Sequence, residues 1–207
     1  MTTRQRAGGG EDGRRAATRL RLYGAAVEVI AEDGYAAATV EAIAERAGVA
    51  KGTVFYNFGS KEGLFTALLE HGIRQLADAM TQEARVQESP LGALDAVIMA
   101  QLRFFEEYAA FARVLLTEMW RTAWQETVAT LRREVLGVYA DVLRRAVAEG
   151  VVREDLDVET AATALFGMVL TTSIERRALH PTRPVEQLHA TLVNLVHGRV
   201  TDPLLSE

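Results

Sequence analysis

The apolar residues of this chain recur three or four apart, and no stretch alternates apolar and polar residues for any length. That spacing paints one face of a helix, so the chain is expected to fold as helices and strands are not expected. Only four prolines interrupt the 207 residues, which leaves room for long helices. Breaks fall at Gly34, Gly48, Gly59-Ser60, Ser89-Pro90, Gly150 and the His180-Pro181…Pro184 turn. Between them the pattern predicts about nine helices: 14–34, 40–47, 51–58, 61–88, 90–108, 110–119, 123–149, 157–178 and 185–199. Residues 1–13 are polar and Gly-rich and read as a flexible tail. A chain of this length buries roughly 70% of its open surface, so it needs no staples. It has none: there is no Cys, which excludes disulfides, thiolate zinc sites and cysteine nucleophiles. No secretory segment is visible, and the apolar run 161–174 is too short to span a membrane, so a cytoplasmic protein is expected.

The net charge of −5 speaks against nucleic acid until it is divided along the chain. Residues 1–62 carry 9 basic and 8 acidic groups, whereas residues 63–207 carry 14 and 20. Local charge decides what a face attracts. Both lysines of the chain, Lys51 and Lys61, lie in the near-neutral part. Elements upstream of Ser60 are short, and those downstream are long, acidic and apolar. The division expected is therefore 14–60 and 61–207.

Residues 40–58, VEAIAERAGVAKGTVFYNF, meet the requirements of a helix-turn-helix. Two short helices flank Gly48, which can take the left-handed backbone of a tight turn. Ala44 is small where the helices approach, and Ile43, Ala47, Val49 and Val54 face the crossing. Helices this short need a floor, for which Leu22, Ala26, Val29, Ile30, Leu64 and Phe65 are available. Outward, the second short helix offers a cation, a hydroxyl, a phenol and an amide in Lys51, Thr53, Tyr56 and Asn57. Such groups reach phosphates and base edges. Lys61, at the start of the next helix, adds a positive end for a phosphate.

Residues 20–65 resemble the TetR/AcrR transcriptional regulators. The likeness rests on Gly-Tyr after the first helix, Thr-Val opening the second and Ala-Gly-Val in the turn. It continues through Gly-Thr-Val-Phe-Tyr-x-Phe and Ser-Lys-Glu-x-Leu-Phe. The resemblance implies an N-terminal three-helix DNA-binding domain followed by a helical ligand-binding and dimerisation domain. It also implies that Thr39 holds a phosphate, that Lys51, Gly52, Thr53, Tyr56 and Asn57 enter the major groove, and that Lys61 clamps the backbone. Phe55 stands where the family often has Tyr, and Asn57 where His is frequent. The operator expected is two related half-sites, about one helical turn apart or slightly more, read by a dimer. Arg14, Arg15 and Arg19 either reach DNA or form a solvated basic tail.

In the second domain, the helix containing ATALFGMVLTTSI has few polar groups on any side and must be buried on more than one. Paired with the 185–199 helix across a two-fold axis it would form an isologous interface. The interface residues expected are Ala162, Phe166, Gly167, Leu170, Thr171, Ile174, Leu188, Leu192 and Leu195; burial inside one subunit is the other reading. Met99, Phe104, Tyr108, Met119, Trp120 and Trp124 either line an apolar effector pocket or form ordinary core.

The strongest enzyme-like motif is Glu186-x-x-His189, with His197 about two turns on. Di-iron bundles need two such motifs and two further Glu, so one is not enough. No metal, cofactor or catalytic site is expected. The function expected is a dimeric, sequence-specific DNA-binding regulator, a repressor released from a palindromic operator by a small molecule. The alternative is a helical small-molecule binder or metal enzyme that does not act on DNA.

Overall fold

A computed structural model describes residues 8–118 and 125–200. Every regular element among these residues is helical: α1 (Gly8–Ala37), α2 (Val40–Arg46), α3 (Lys51–Phe58), α4 (Lys61–Arg85), α5 (Pro90–Glu107), α6 (Ala109–Glu118), α7 (Gln125–Leu131), α8 (Gly137–Ala148), α9 (Val158–Leu179) and α10 (Val185–Val200). A π-helical turn, Arg132–Leu136, joins α7 to α8 without a break. Counting that run as one rod, the described residues form nine, and the all-α expectation holds.

Two boundaries differ from expectation. α1 begins at Gly8, so residues 8–13 are helical rather than tail. It breaks at Gly34, whose φ of 80° and ψ of 157° no helix contains. The chain divides into two compact units between Leu69 and Glu70, inside α4 and not at Ser60. α4 is one helix with no proline or cap to end it there, so composition upstream of it gave no view of the division.

Most helix ends carry the chemistry their residues suggest. Ser89 accepts from the Gly92 amide at 3.1 Å and Pro90 opens α5. Ser60 accepts from Gly63 N at 2.9 Å, and Asp157 accepts from Thr160 N at 3.1 Å. α2 ends in a Schellman motif: Gly48 at φ 65° lets Val49 N reach Ala44 O at 3.0 Å while Gly48 N reaches Glu45 O at 3.0 Å. Backbone bonds thus close the turn of the helix-turn-helix.

In the first unit, Leu22, Ala26, Val29 and Ile30 of α1 are buried, as are Ile43 and Ala44 of α2, Val54 of α3 and Leu64 and Phe65 of α4. Ring contacts tie the layers: Tyr23 lies 5.5 Å from Phe58, and Tyr35 lies 4.7 Å from Phe65.

In the second unit, α5 packs against α8 and α9, α6 against α5 and α9, and α10 against α5. Tyr139 of α8 is wholly buried there. Its hydroxyl donates to Gln101 Oε1 at 2.6 Å, and Gln101 Nε2 donates to the Phe166 carbonyl at 3.0 Å. One polar chain therefore stitches α8, α5 and α9 together, and burial pushes the Tyr139 phenol well above its usual range. Phe105 adds an edge contact to Phe166, with centroids 6.3 Å apart.

Candidate nucleic-acid interface and effector clefts

α3 turns Lys51, Gly52, Phe55 and Tyr56 outward. The spacing 51/55 and 52/56 puts them on one face. Tyr56 is 75% exposed, the most accessible large apolar side chain described. It is held rather than loose, because the Arg15 guanidinium lies 5.4 Å above its ring. Phe55 is also exposed, with Lys51 Nζ 5.7 Å from its centroid. In the sequence Phe55 stood out only as a departure from the family's Tyr, and its place as an accessible apolar group on the same face was missed. Lys51 pairs with Glu41 across the turn, and this holds the Glu41 carboxyl below its usual range.

Other expected contact residues have local duties. Thr39 caps α2, accepting from Ala42 N at 3.1 Å. Its hydroxyl proton is not spent on that bond. Thr53 is half-buried. Asn57 was expected to face outward. Instead its Nδ2 donates back to Thr53 O at 2.8 Å and its Oδ1 is shut away from solvent without a partner. Lys61 was expected at a phosphate. Its Nζ donates to the Tyr35 and Ala38 carbonyls, each at 2.8 Å, and lies 4.4 Å from the Tyr35 ring centroid. These are the carbonyls left unpaired where α1 ends, and a cation suits that negative end. Arg19, left open between DNA and solvent, donates to Tyr23 Oη at 2.8 Å and to Asn57 O at 3.4 Å, binding α1 to α3. Arg14 and Arg15 remain exposed.

The expected dimer residues separate into two sets. Ala162, Phe166, Leu170, Leu188 and Leu192 are buried inside the chain itself and cannot face a partner. The reason is that α9 turns this side onto α5, α6 and α8 of its own chain. Gly167, Thr171, Ile174 and Leu195 stay accessible, with Leu195 42% exposed. A Cβ added at Gly167 would meet nothing.

Of the expected pocket residues, Met119, Trp120 and Trp124 lie outside the described residues. Met99 and Phe104 line a cleft of about 270 Å³ between α4 and α5, beside Arg103, Glu83 and Glu107. Tyr108 caps the end of α5, with its ring 4.7 Å from Phe104. A second cleft, about 340 Å³, opens between α6 and α9. Arg113 and Arg177 line it, and sequence reasoning singled out neither. The two histidines of the ExxH region turn to one residue: His189 Nε2 lies 2.9 Å from Asp95 O, and His197 Nε2 lies 2.9 Å from Asp95 Oδ1. They fasten α10 to α5.

A helix-turn-helix with a cationic and aromatic outer face, followed by a separate helical body, defines a DNA-binding transcriptional regulator. The sequence pattern of "Bacterial regulatory proteins, tetR family" matches residues 22–68, and that of "Tetracyclin repressor-like, C-terminal domain" matches residues 87–173, together more than half of the chain. The chain belongs to the TetR family of bacterial transcriptional regulators, for which ligand response, dimerisation and a palindromic operator are typical. It is 28% identical over 191 residues to the HTH-type transcriptional repressor KstR2 of Mycolicibacterium smegmatis, covering 90% of this chain and 92% of that one. It is 27% identical over 152 residues to the fatty acid metabolism regulator protein of Bacillus subtilis, covering 72% and 78%. The fatty acid degradation regulator FadR from Bacillus halodurans has the same fold, with a TM-score of 0.80 at 21% identity over 92% of this chain and 97% of that one. No helix among the described residues is long and apolar enough to cross a membrane.

Proposed function

We propose that this chain is a cytoplasmic, non-enzymatic repressor that sits as a homodimer on a two-fold operator and leaves it when a small molecule enters the second unit. The observation that carries the reading is the outer face of α3. There a braced phenol, an apolar ring and a cation stand together on a helix fixed by the α2 turn. In the major groove Tyr56 serves a base edge or phosphate, Phe55 meets a thymine methyl, and Thr53 reads beside them. Lys51 and Thr39 hold phosphates, with Gly52 allowing close approach. Arg14 and Arg15 extend the basic edge along α1. Asn57 and Lys61 support the interface from behind.

The dimer forms through the accessible sides of α9 and α10. Gly167, Thr171 and Ile174 share one side of α9 at i, i+4, i+7. Gly167 and Thr171 are small enough for a partner helix to approach closely, and Ile174 with Leu195 of α10 adds apolar contact. The buried set named above forms the platform beneath.

The link between effector and operator is α4. A Cβ at Gly72 would collide with the Phe111 ring of α6. That contact leaves α6 no slack against α4, so a ligand that moves α6 displaces α4. The spacing of two recognition helices then changes, provided the ligand binds the two spacings with different affinity.

The test is selection of genomic fragments on the purified protein, followed by a salt-dependent gel shift. Tyr56→Ala is expected to lower operator affinity by about 1–3 kcal/mol, the range for a base-reading contact. If no fragment shifts specifically while the protein is a folded dimer, the reading fails.

A further inference from the structure

We propose that the cleft between α6 and α9 binds the anionic head of an amphiphile, with Arg113 and Arg177 as a paired clamp. The proposal rests on reading the second unit as the effector-binding part.

Residues 63–207 are acidic, with 20 carboxylates against 14 cations. Six of the 14 arginines there pair with carboxylates: Arg74 with Glu70, Arg133 with Glu134, Arg144 with Asp141 and Glu159, Arg145 with Glu149, Arg153 with Asp155 and Arg176 with Glu106. Neither Arg113 nor Arg177 has a carboxylate partner among the described residues, and both line this one cleft. No acidic residue among the described residues lines it. Two other clefts among the described residues differ: one sets Arg103 beside Glu83 and Glu107, and another sets Arg85 and Arg145 beside Asp141. Only the α6–α9 cleft of the three is cationic without compensation.

Its walls suit the rest of such a molecule. Phe105, Ala109, Ala112 and Ile174 supply apolar surface. Phe105 in turn meets Phe166 in the aromatic core. At about 340 Å³ the cleft falls at the small end of the range for small-molecule sites, about 300–1,000 Å³. Two guanidinium groups beside an apolar wall favour a carboxylate or phosphate joined to a hydrocarbon body. The site also bears on regulation. α6 carries Phe111 against Gly72 of α4, and Ile174 belongs both to the cleft and to the accessible side of α9. A bound anion therefore draws together the helix that meets α4 and the helix offered to a partner.

The experiment is calorimetric titration of the full chain, without DNA, with decanoate, decyl phosphate and decanol. Both anions are expected to bind about tenfold or more tightly than decanol, the difference that one or two charge-assisted bonds make. A preference between the two anions assigns the head as carboxylate or phosphate. Arg113→Gln/Arg177→Gln is expected to abolish the preference for anions while leaving decanol binding and the melting temperature unchanged. Arg103→Gln, in the neighbouring cleft, is expected to bind like the wild type. Equal binding of decanol, an undiminished anion preference in the double variant, the same loss in Arg103→Gln, or no binding of any probe overturns the proposal. Failure of the regulator reading shows separately, in the gel shift.

Discussion

At the scale of single residues, the same chemical types divide between reading and holding. Lys61 looks like a phosphate clamp in the sequence, but its ammonium is committed to the carbonyls that end α1. Lys61→Ala is expected to cost about 1.5–3 kcal/mol, the value of hydrogen bonds to a charged group, read as a lower midpoint in urea. Its effect on DNA binding should follow from stability alone. Asn57 is a second case. Its amide folds back on Thr53, so Asn57→Ala is expected to leave operator discrimination unchanged, as measured by competition with altered half-sites. Sequence spacing could not reveal either duty, because it shows which face a residue shares but not which carbonyl lies within reach. Glu41 works the other way. It neutralises Lys51, and Glu41→Gln is expected to raise affinity for random DNA and steepen its salt dependence. Because Lys51 depresses the Glu41 carboxyl, the pair's contribution is complete above the ordinary value of 4.5. It is lost only as pH falls through the lower folded value, so acid melts should show the difference and neutral ones should not.

At the scale of elements, the sequence is legible where local chemistry ends a helix and opaque where packing decides. Gly48, Ser60, Ser89 and Asp157 mark their turns and caps unaided. The helix-turn-helix was readable for the same reason, since glycine, small residue and polar face lie within one short segment. α9 was not. Its apolar letters go nearly all round, so the side facing its own core could not be told from the side facing a partner. Packing on the neighbouring helices resolves it: Ala162, Phe166 and Leu170 go in, while Gly167, Thr171 and Ile174 stay accessible. The α4–α6 contact was equally hidden, because Gly72 has meaning only against Phe111. Gly72→Ala is expected to destabilise by about 1–3 kcal/mol, as overpacking does. Adding Phe111→Leu should recover part of that loss in a double-mutant cycle.

At the scale of the whole molecule, composition averages together parts of the chain with different work. The net charge of −5 belongs to the body, and the near-neutral first 62 residues carry the face offered to DNA. The proposed dimer contact falls to accessible residues of α9 and to Leu195 of α10. Gly167→Leu with Leu195→Glu is therefore expected to yield a folded monomer by sedimentation, whereas Leu188→Glu should unfold the chain. The central claim, that a dimer reads DNA through α3, is tested most directly by footprinting on a genomic fragment selected by the protein. The expected result is one protected, two-fold site that is weakened by salt and lost in Tyr56→Ala at unchanged melting temperature and dimer mass. An unprotected fragment with a folded dimer present, or a Tyr56→Ala footprint equal to that of the wild type, would contradict it.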